Sequence, residues 1–259
     1  MYEIALQILK KINSNNYEGY IVGGFSRNKY MNLSSSDIDI CTSANPDELK
    51  KIFPSADLKN SKYGNVLLNI SDYIFEITTF RKDFHYIDNR KPSKIVFVKT
   101  LIEDLYRRDF VMNTLCINEK EEFIDMLKAK DDIDNKIIRI VGTKEKLKED
   151  SLRILRAIRV STELNFNLDF ELSEGIKEYG YLIKKLSYTR KKQELDKIFK
   201  SSNRKKGIEL LLKFKLEKYL DLSNLNRVNF DEDYLSIWKQ LDVLNIYPFT
   251  KEERKIIVK

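Results

Sequence analysis

The pattern of apolar residues changes character near Gly142 of this 259-residue chain. Before it, short apolar runs of strand type alternate with turns and brief helical stretches. After it, strand signals vanish and a helical period runs almost unbroken to the end. A sheet-bearing part followed by an all-helical part is an α+β arrangement, and a chain of this length can bury two cores. The expected domains are 1–142, a mixed sheet with helices, and 143–259, a helical domain, packed directly because no low-complexity linker separates them.

Within the first domain the pattern predicts helices over 1–12, 25–31, Pro46–Ile52 (capped by Asn45) and about 101–117. Strands are predicted at 19–22 and Asp37–Cys41, with a pair at Val66–Ile70 and Tyr73–Phe80 turned at Ser71-Asp72. Arg81 to Lys94 reads as a polar stretch, followed by the apolar runs Ile95–Val98, Phe123–Met126 and Ile137–Val141.

The stretch Ser36-Asp37-Ile38-Asp39-Ile40 carries the first chemistry. On a strand, residues two apart face the same way, so Asp37 and Asp39 point together while Ile38 and Ile40 point to a core. Like charges side by side repel unless a divalent cation lies between them. Just upstream, Tyr20-Ile21-Val22 runs into Gly23-Gly24, whose bare backbone admits an anion closely, and Arg27 adds a cation. A metal pair beside a phosphate cradle suggests nucleotidyl transfer. The plain alternative is a solvent-exposed strand end with two chance aspartates.

Charged residues make up 34% of the chain and the net charge is +7. That favours a polyanionic partner, nucleic acid or an anionic membrane, over a neutral small molecule alone. Richness in Lys, Ile and Asn is also what an AT-rich genome produces, so the charge is supporting evidence only. No segment approaches a membrane span, and the charged, amphipathic start lacks a signal peptide's apolar run. A cytoplasmic protein is expected. Cys41 and Cys116 lie in apolar, strand-like surroundings and are expected as reduced, buried thiols. His85 is the only histidine, so no Cys/His zinc cluster exists; its polar setting suits a surface or substrate-contacting residue.

Glu149 to Arg159 forms a second constellation, read as one helix. At 100° per residue, Asp150, Arg153 and Arg156 make a contiguous polar stripe, with Leu152, Ile154, Leu155 and Ile158 broadly opposite and Arg159 at the margin. An ordinary ion-paired surface helix has the same look. The sharper reading is base recognition. Cytosine and adenine each place an exocyclic amine beside a bare ring nitrogen, so an Asp can accept from the amine while an Arg donates to the nitrogen. Guanine and uracil reverse both demands at that edge, so one Asp–Arg pair admits C and A and rejects G and U without a template.

Taken together these residues resemble the class II tRNA nucleotidyltransferases, the CCA-adding enzymes related to bacterial poly(A) polymerases, over residues from about 18 to 200. Gly23-Gly24-Phe25-Ser26-Arg27 with Asp37-Ile38-Asp39 is similar to the family's GGxxR…DxD motif, and Glu76 to Arg81 to its E-x-T-T-F-R strand. Arg107-Arg108-Asp109-Phe110 with Asn113 matches R-R-D-F-x-x-N, and Glu149-Asp150-x-x-Arg153-x-x-Arg156 matches E-D-x-x-R-x-x-R. Leu186-Ser187 through Arg190 and Glu194-Leu195 loosely resembles a fifth motif in the neck.

The resemblance implies a polymerase-β-like nucleotidyltransferase head followed by an all-α neck and partial body. It implies addition or repair of the 3′-terminal CCA of tRNA, with CTP and ATP as substrates and Mg²⁺ as cofactor. Asp37 and Asp39 would hold Mg²⁺, and Glu76 would either supply a third carboxylate or organise its strand. Gly23, Gly24 and Arg27 would hold the triphosphate. Asp109, Asn113 and one of Arg107 and Arg108 would position the ribose. Asp150 and Arg153 would read the base, with Arg156 and Arg159 supporting. The stretch Lys82 to Tyr106, with Tyr86, Asp88, Arg90, Lys91 and Pro92, resembles the flexible loop needed to switch from C to A addition. It is long here, which disfavours a CC-only enzyme. Tyr63-Gly64-Asn65-Val66-Leu67 lacks the Gly-basic-basic-Phe stretch of poly(A) polymerases, which favours tRNA.

Asn28 stands where the family usually has Asp, and Thr189 where it usually has Glu. Thr250-Lys251-Glu252-Glu253 reads as a capping box opening a helix close to Lys259, whereas family members continue with further helices. Either the chain is truncated or it is a compact form leaning on a basic neck: Lys184, Lys185, Arg190, Lys191, Lys192, Arg204, Lys205 and Lys206. An A-adding enzyme, a poly(A) polymerase and a non-catalytic RNA-binding relative remain as alternatives.

Overall fold

A computed structural model of the chain describes residues 1–87 and 91–258, with side chains outside 85–92. The expectations for Asp88 and Arg90, and for the side chains of His85, Tyr86, Lys91 and Pro92, lie outside the described residues. The chain forms two compact units, Met1–His85 with Pro92–Asn135 and Arg139–Gly142, and Tyr86–Lys91 with Lys136–Ile138 and Thr143–Lys259.

The first unit begins with helix α1 (Tyr2–Asn13), whose Ala5, Leu6, Ile8, Leu9 and Ile12 recur at helical spacing and are buried. Strand β1 (Gly19–Val22), helix α2 (Gly24–Tyr30), strand β2 (Asp39–Thr42) and helix α3 (Pro46–Ile52) follow. Asn45 and Glu48 close a full capping box on α3, with Pro46 at its first turn. Strands β3 (Asn65–Ile70) and β4 (Tyr73–Thr79) make the expected hairpin, with Ser71 at φ 54° in the turn. Arg81 to Lys94, expected as a polar stretch, instead supplies strand β5 (Arg81–Ile87), which pairs with β6 (Lys91–Phe97) as a separate two-stranded sheet.

Helix α4 spans Leu101–Leu105 only, where a helix to about 117 was expected. Tertiary pairing ends it. Val111 N–H donates to Arg139 O at 2.9 Å, Val141 N–H donates to Asp109 O at 2.9 Å, and Phe110 bridges Ile140. These bonds hold Phe110 extended (φ −120°, ψ 143°), which no helix permits, and only a short 3-10 turn, Val111–Thr114, follows. Strands β7 (Cys116–Ile117) and β8 (Phe123–Ile124) and helix α5 (Ala129–Asp134) complete the unit.

The main sheet runs β3-β4-β2-β1-β7-β8, antiparallel except for β2 beside β4. Its register aligns one row across five strands: Leu67, Glu76, Asp39, Val22 and Cys116. Residues of the opposite parity, among them Ile21, Ile38, Ile40, Val66, Leu68, Phe75 and Ile77, pack with α1 and α3 into one core. On the row's own face, Val22 and Cys116 join Cys41, Phe80, Leu101 and Leu105 in a second cluster. That face is therefore closed at the β1–β7 end and open at Asp39 and Glu76, both exposed.

Strand β2 starts at Asp39 rather than Asp37. Gly23, at φ 83°, turns the chain away immediately after Val22 pairs with Asp39, so Asp37 has no partner strand.

The second unit opens with strand β9 (Ile137–Ile138), parallel to β10 (Asn167–Leu168). Helices α6 (Lys146–Glu149), α7 (Leu152–Leu164), α8 (Phe170–Tyr179), α9 (Tyr188–Lys200), α10 (Arg204–Lys213), α11 (Tyr234–Leu241) and α12 (Lys251–Val258) follow. Two of the lysines expected to form a basic RNA-facing surface are buried. Lys191 Nζ donates to Tyr219 O at 3.0 Å, and Lys192 Nζ contacts Asp196 at 2.7 Å and Glu253 at 3.0 Å. Aromatic rings draw them inward, since Lys191 lies over Tyr188 and Lys192 over Trp238 and Phe249. Lys184, Lys185, Arg190 and Lys205 remain exposed. No described helix is long and apolar enough to cross a membrane.

Helix α10 meets α7 and α9 at glycine distance. A Cβ at position 207 would lie 2.5 Å from both Ile198 Cγ2 and Thr162 Oγ1. Gly207→Ala is expected to lower unfolding free energy by about 1–3 kcal/mol through overpacking. Glu209→Ala on the exposed side of the same helix should change it by less than about 0.5 kcal/mol. Urea denaturation of the two variants checks this.

Candidate active site

Asp37, Asp39 and Glu76 line one cleft of about 500 Å³, whose walls also include Leu67, Tyr73 and Ile74. The alternation expected from the sequence holds across the strand's entry: Asp37 and Asp39 are exposed, and Ile38 and Ile40 are 5% and 1% exposed. Glu76 faces Asp39 in register across β4 and β2, and its Oε1 accepts a hydrogen bond from Asn65 Nδ2. Among the described residues, no three His, Cys, Asp or Glu side chains converge to cage an ion by themselves. Two aspartates with hard oxygen donors fit Mg²⁺, which commonly takes one or two protein carboxylates and completes its shell with substrate phosphates and water.

The glycine turn sits against this pair. A Cβ at position 23 would come 3.4 Å from Asp39 Oδ2, so the missing side chain lets the turn pass close to the carboxylate. Gly24 then opens α2 and Arg27 follows on that helix. Arg27 is nearly buried and aimed by two amides. Its Nε and Nη2 donate to Asn28 Oδ1 at 3.0 and 2.8 Å, and its Nη1 donates to Asn113 Oδ1 at 2.8 Å. Asn28, standing where the resembled family has Asp, thus still supplies an acceptor to the guanidinium. Asn113 Nδ2 in turn donates to Asp109 Oδ1 at 3.2 Å, which also accepts from Phe110 N–H at 2.8 Å. Three residues from two separate motifs form one hydrogen-bonded chain.

Arg107 and Arg108 converge on a residue that the sequence reading missed. Asp104 is fully buried and accepts from Arg107 Nε at 2.7 Å, Arg108 Nη2 at 2.9 Å and the Arg81 backbone N–H at 3.2 Å. Burial alone would push its carboxyl up, but the two guanidiniums outweigh this and hold it below its ordinary value. Burial likewise opposes the charge on Arg108, and Asp104 overrides it and raises that pKa. An acid three and four residues ahead of an arginine pair is the signal that would have found it.

In the second unit, Glu149 to Arg159 is not one helix. Asp150, at φ −136° and ψ 100°, separates α6 from α7. Its Oδ1 accepts from Leu152 N–H at 3.1 Å, so the carboxylate caps the start of α7 instead of joining a stripe along it. Arg153 is 5% exposed, and its Nη1 donates to Lys146 O at 3.2 Å with Glu149 Oε2 at 3.5 Å. Arg153 N–H also donates to Asp150 O at 3.1 Å, which keeps the two adjacent. Arg156 is half-buried. Arg159 is held between Glu194 of α9 at 2.6 Å and Glu163 at 2.7 Å, so in this geometry it ties α7 to α9.

A mixed sheet presenting Asp-x-Asp beside a glycine turn, followed by helices, defines the nucleotidyltransferase head with an α-helical neck. The poly A polymerase head domain family matches residues 19–139, and the probable RNA and SrmB-binding site of polymerase A matches 165–223. The CCA-adding enzyme of Streptococcus thermophilus (strain CNRZ 1066) is 38% identical over 220 residues, covering 85% of this chain and 55% of that protein. That of Streptococcus sanguinis (strain SK36) is 35% identical over 267 residues, covering 97% of this chain and 67% of that one. Among solved structures, the Bacillus stearothermophilus CCA-adding enzyme in complex with CTP superimposes with a TM-score of 0.77 at 33% identity, over 85% of this chain and 53% of its own. The chain belongs to the bacterial CCA-adding enzyme family. It spans about half the length of several of the curated relatives it matches.

The depressed carboxyl of Asp104 fixes the sign of a pH effect. Its contribution to stability is complete above the ordinary carboxylate value of about 3.9 and is lost as pH falls from there through the folded value. Asp104→Leu, which removes the carboxylate from two half-buried guanidiniums, is expected to cost about 3–5 kcal/mol at pH 7. The gap from wild type should stay constant between pH 5 and 8 and narrow below about pH 3.9. Denaturant titrations across that range check both statements.

Proposed function

We propose that this chain catalyses template-independent transfer of nucleotides from CTP and ATP to the 3′-hydroxyl of tRNA, building or repairing the terminal CCA. The observation that carries this reading is the pair Asp37 and Asp39 on the open face of the sheet, beside Gly23 and the Arg27–Asn113–Asp109 chain. The names of its relatives support the tRNA substrate, and that of the solved complex supports CTP. Residues 1–142 would serve as the head and 143–259 as the neck and partial body, in a cytoplasmic enzyme whose buried free thiols suit a reducing compartment.

Asp37 and Asp39 would hold Mg²⁺, which when bound supplies positive charge for the triphosphate and activation of the attacking hydroxyl. Glu76, with one oxygen engaged by Asn65, orients the floor beneath them. Arg27 binds phosphate with a guanidinium already aimed by Asn28 and Asn113, so little side-chain entropy is lost on binding. Asp109 and Asn113 accept and donate to ribose hydroxyls. Arg107 and Arg108, paired to the single carboxylate of Asp104, stiffen that segment. Asp150 accepts from the amine of C or A and Arg153 donates to the neighbouring ring nitrogen, while a guanine or uracil would meet acceptor with acceptor and donor with donor. Arg156 supports that pair.

Incubation with tRNA lacking CCA, CTP and ATP is expected to lengthen the RNA by up to three nucleotides. Asp37→Ala with Asp39→Ala should lower the rate by more than about a thousandfold with the fold retained by circular dichroism. GTP or UTP incorporated as fast as CTP would defeat the base-reading assignment. Extension only from tRNA ending in CC would make it an A-adding enzyme, and long A tails a poly(A) polymerase. RNA binding without turnover, unchanged by the double substitution, would make it a non-catalytic relative.

A further inference from the structure

The aspartates of the β2 strand divide the open face of the sheet into two flanks of opposite chemistry. Toward β1 lie the Gly23 turn, Arg27 and the Asn113–Asp109 chain, which suit phosphates and sugar hydroxyls. Toward β4 and the edge strand β3, the cleft is walled by Leu67, Tyr73, Ile74 and, at the hairpin turn, Asp72, and among the described residues no Lys or Arg lines it. Ile74 is 70% exposed. It lies two residues from Glu76 on β4, hence on the same face, and Leu67 pairs with Glu76 across the hairpin. The core on the other face is already filled by Phe75 and Ile77, each fully buried, so Ile74 gives nothing to packing. An isoleucine held in water beside a row of carboxylates asks for an occupant.

We propose that Leu67 and Ile74 form a shelf that seats the 3′-terminal nucleoside of the acceptor RNA, making Ile74 a positioning residue for the attacking hydroxyl. The proposal rests on the nucleotidyl-transfer reading above. The triphosphate of the incoming nucleotide demands cations and a glycine turn, which the β1 flank holds and the β4–β3 wall lacks. The acceptor hydroxyl must reach the same two aspartates, so the sugar and base bearing it occupy the remaining flank. Base faces are apolar enough to pack on the side chains of Leu67 and Ile74 without regard to sequence. The cleft of about 500 Å³ is large enough for one nucleoside.

Wild type, Ile74→Val and Ile74→Asn are compared in two assays. Asparagine is neutral, so a loss cannot be charge repulsion of RNA, and the exposed position spares the fold, which a thermal melt verifies. The first assay is extension of tRNA ending in CC, with tRNA and ATP varied separately. The second is fluorescence-anisotropy binding of a short acceptor-stem RNA ending in CC. Ile74→Asn is expected to raise the KM for tRNA and weaken RNA binding by about five- to tenfold, with the KM for ATP within about twofold, and Ile74→Val to restore both. A rise in the KM for ATP alone would assign the shelf to the incoming base and overturn the proposal, as would unchanged RNA binding in Ile74→Asn. Wild type that binds the RNA but does not extend it refutes the nucleotidyl-transfer reading, while the binding comparison still decides the shelf. Wild type that does not bind it overturns the shelf.

Discussion

The backbone pairing of Asp39 with Val22 on one side and Glu76 on the other is the constraint on which the head depends. A slip of one residue would turn Asp39 inward and Ile38 and Ile40 outward. Burying those two isoleucines is worth about 3–6 kcal/mol together. Repulsion between exposed carboxylates about 4 Å apart in water is nearer 1 kcal/mol. Burial therefore wins, and the sheet can carry like charges side by side on its open face. The core on the α1–α3 side sets the register that places the carboxylates on that face.

Arginines in the head are treated differently. Each is given protein acceptors before any ligand arrives: Asn28 and Asn113 for Arg27, Asp104 for Arg107 and Arg108. The two arrangements differ in net charge. Asp104 cancels part of its pair and is buried with it, a structural solution in which desolvation is offset by two strong ion pairs. Amides leave the charge of Arg27 intact. Arg27 thus meets neutral amides where Arg107 and Arg108 meet a carboxylate, a distinction that the sequence of either motif does not display.

Local order was legible where neighbours along the chain decide it. The period-two run through Asp39 and Ile40, the Asn45–Glu48 capping box and the turn at Ser71-Asp72 all follow from residues within a few positions of one another. The chain departs from expectation where distant segments intervene. Helical propensity through 106–117 yields to the pairing of 109–111 with 139–141. Arg81 to Lys94 reads as polar, yet it gains strand structure from pairing with itself across the hairpin. Lys191 and Lys192 look like surface cations by composition. They are buried because Tyr219 O lies within reach of one and Asp196, Glu253 and three aromatic rings within reach of the pair. Charge alone does not tell a solvated lysine from a paired one.

The break at Asp150 bears on the base-reading role proposed for Asp150 and Arg153. On one continuous helix, Asp150 and Arg153 would be free to rotate on a solvent face, and a mobile pair can avoid a mismatched base by swinging aside. Here the carboxylate is oriented by the Leu152 N–H and the guanidinium by the Lys146 carbonyl, both within the same short junction. Anchors so local do not depend on distant packing, and they fix an acceptor beside a donor before any base arrives. Discrimination against a base with the reversed pattern then costs an unpaired buried group on each side, about 1–3 kcal/mol apiece. A rigid pair can impose that cost; a mobile one would relax to avoid it. The template-free selection proposed for this pair needs the rigid kind, and the irregular backbone that interrupts the helix would supply it.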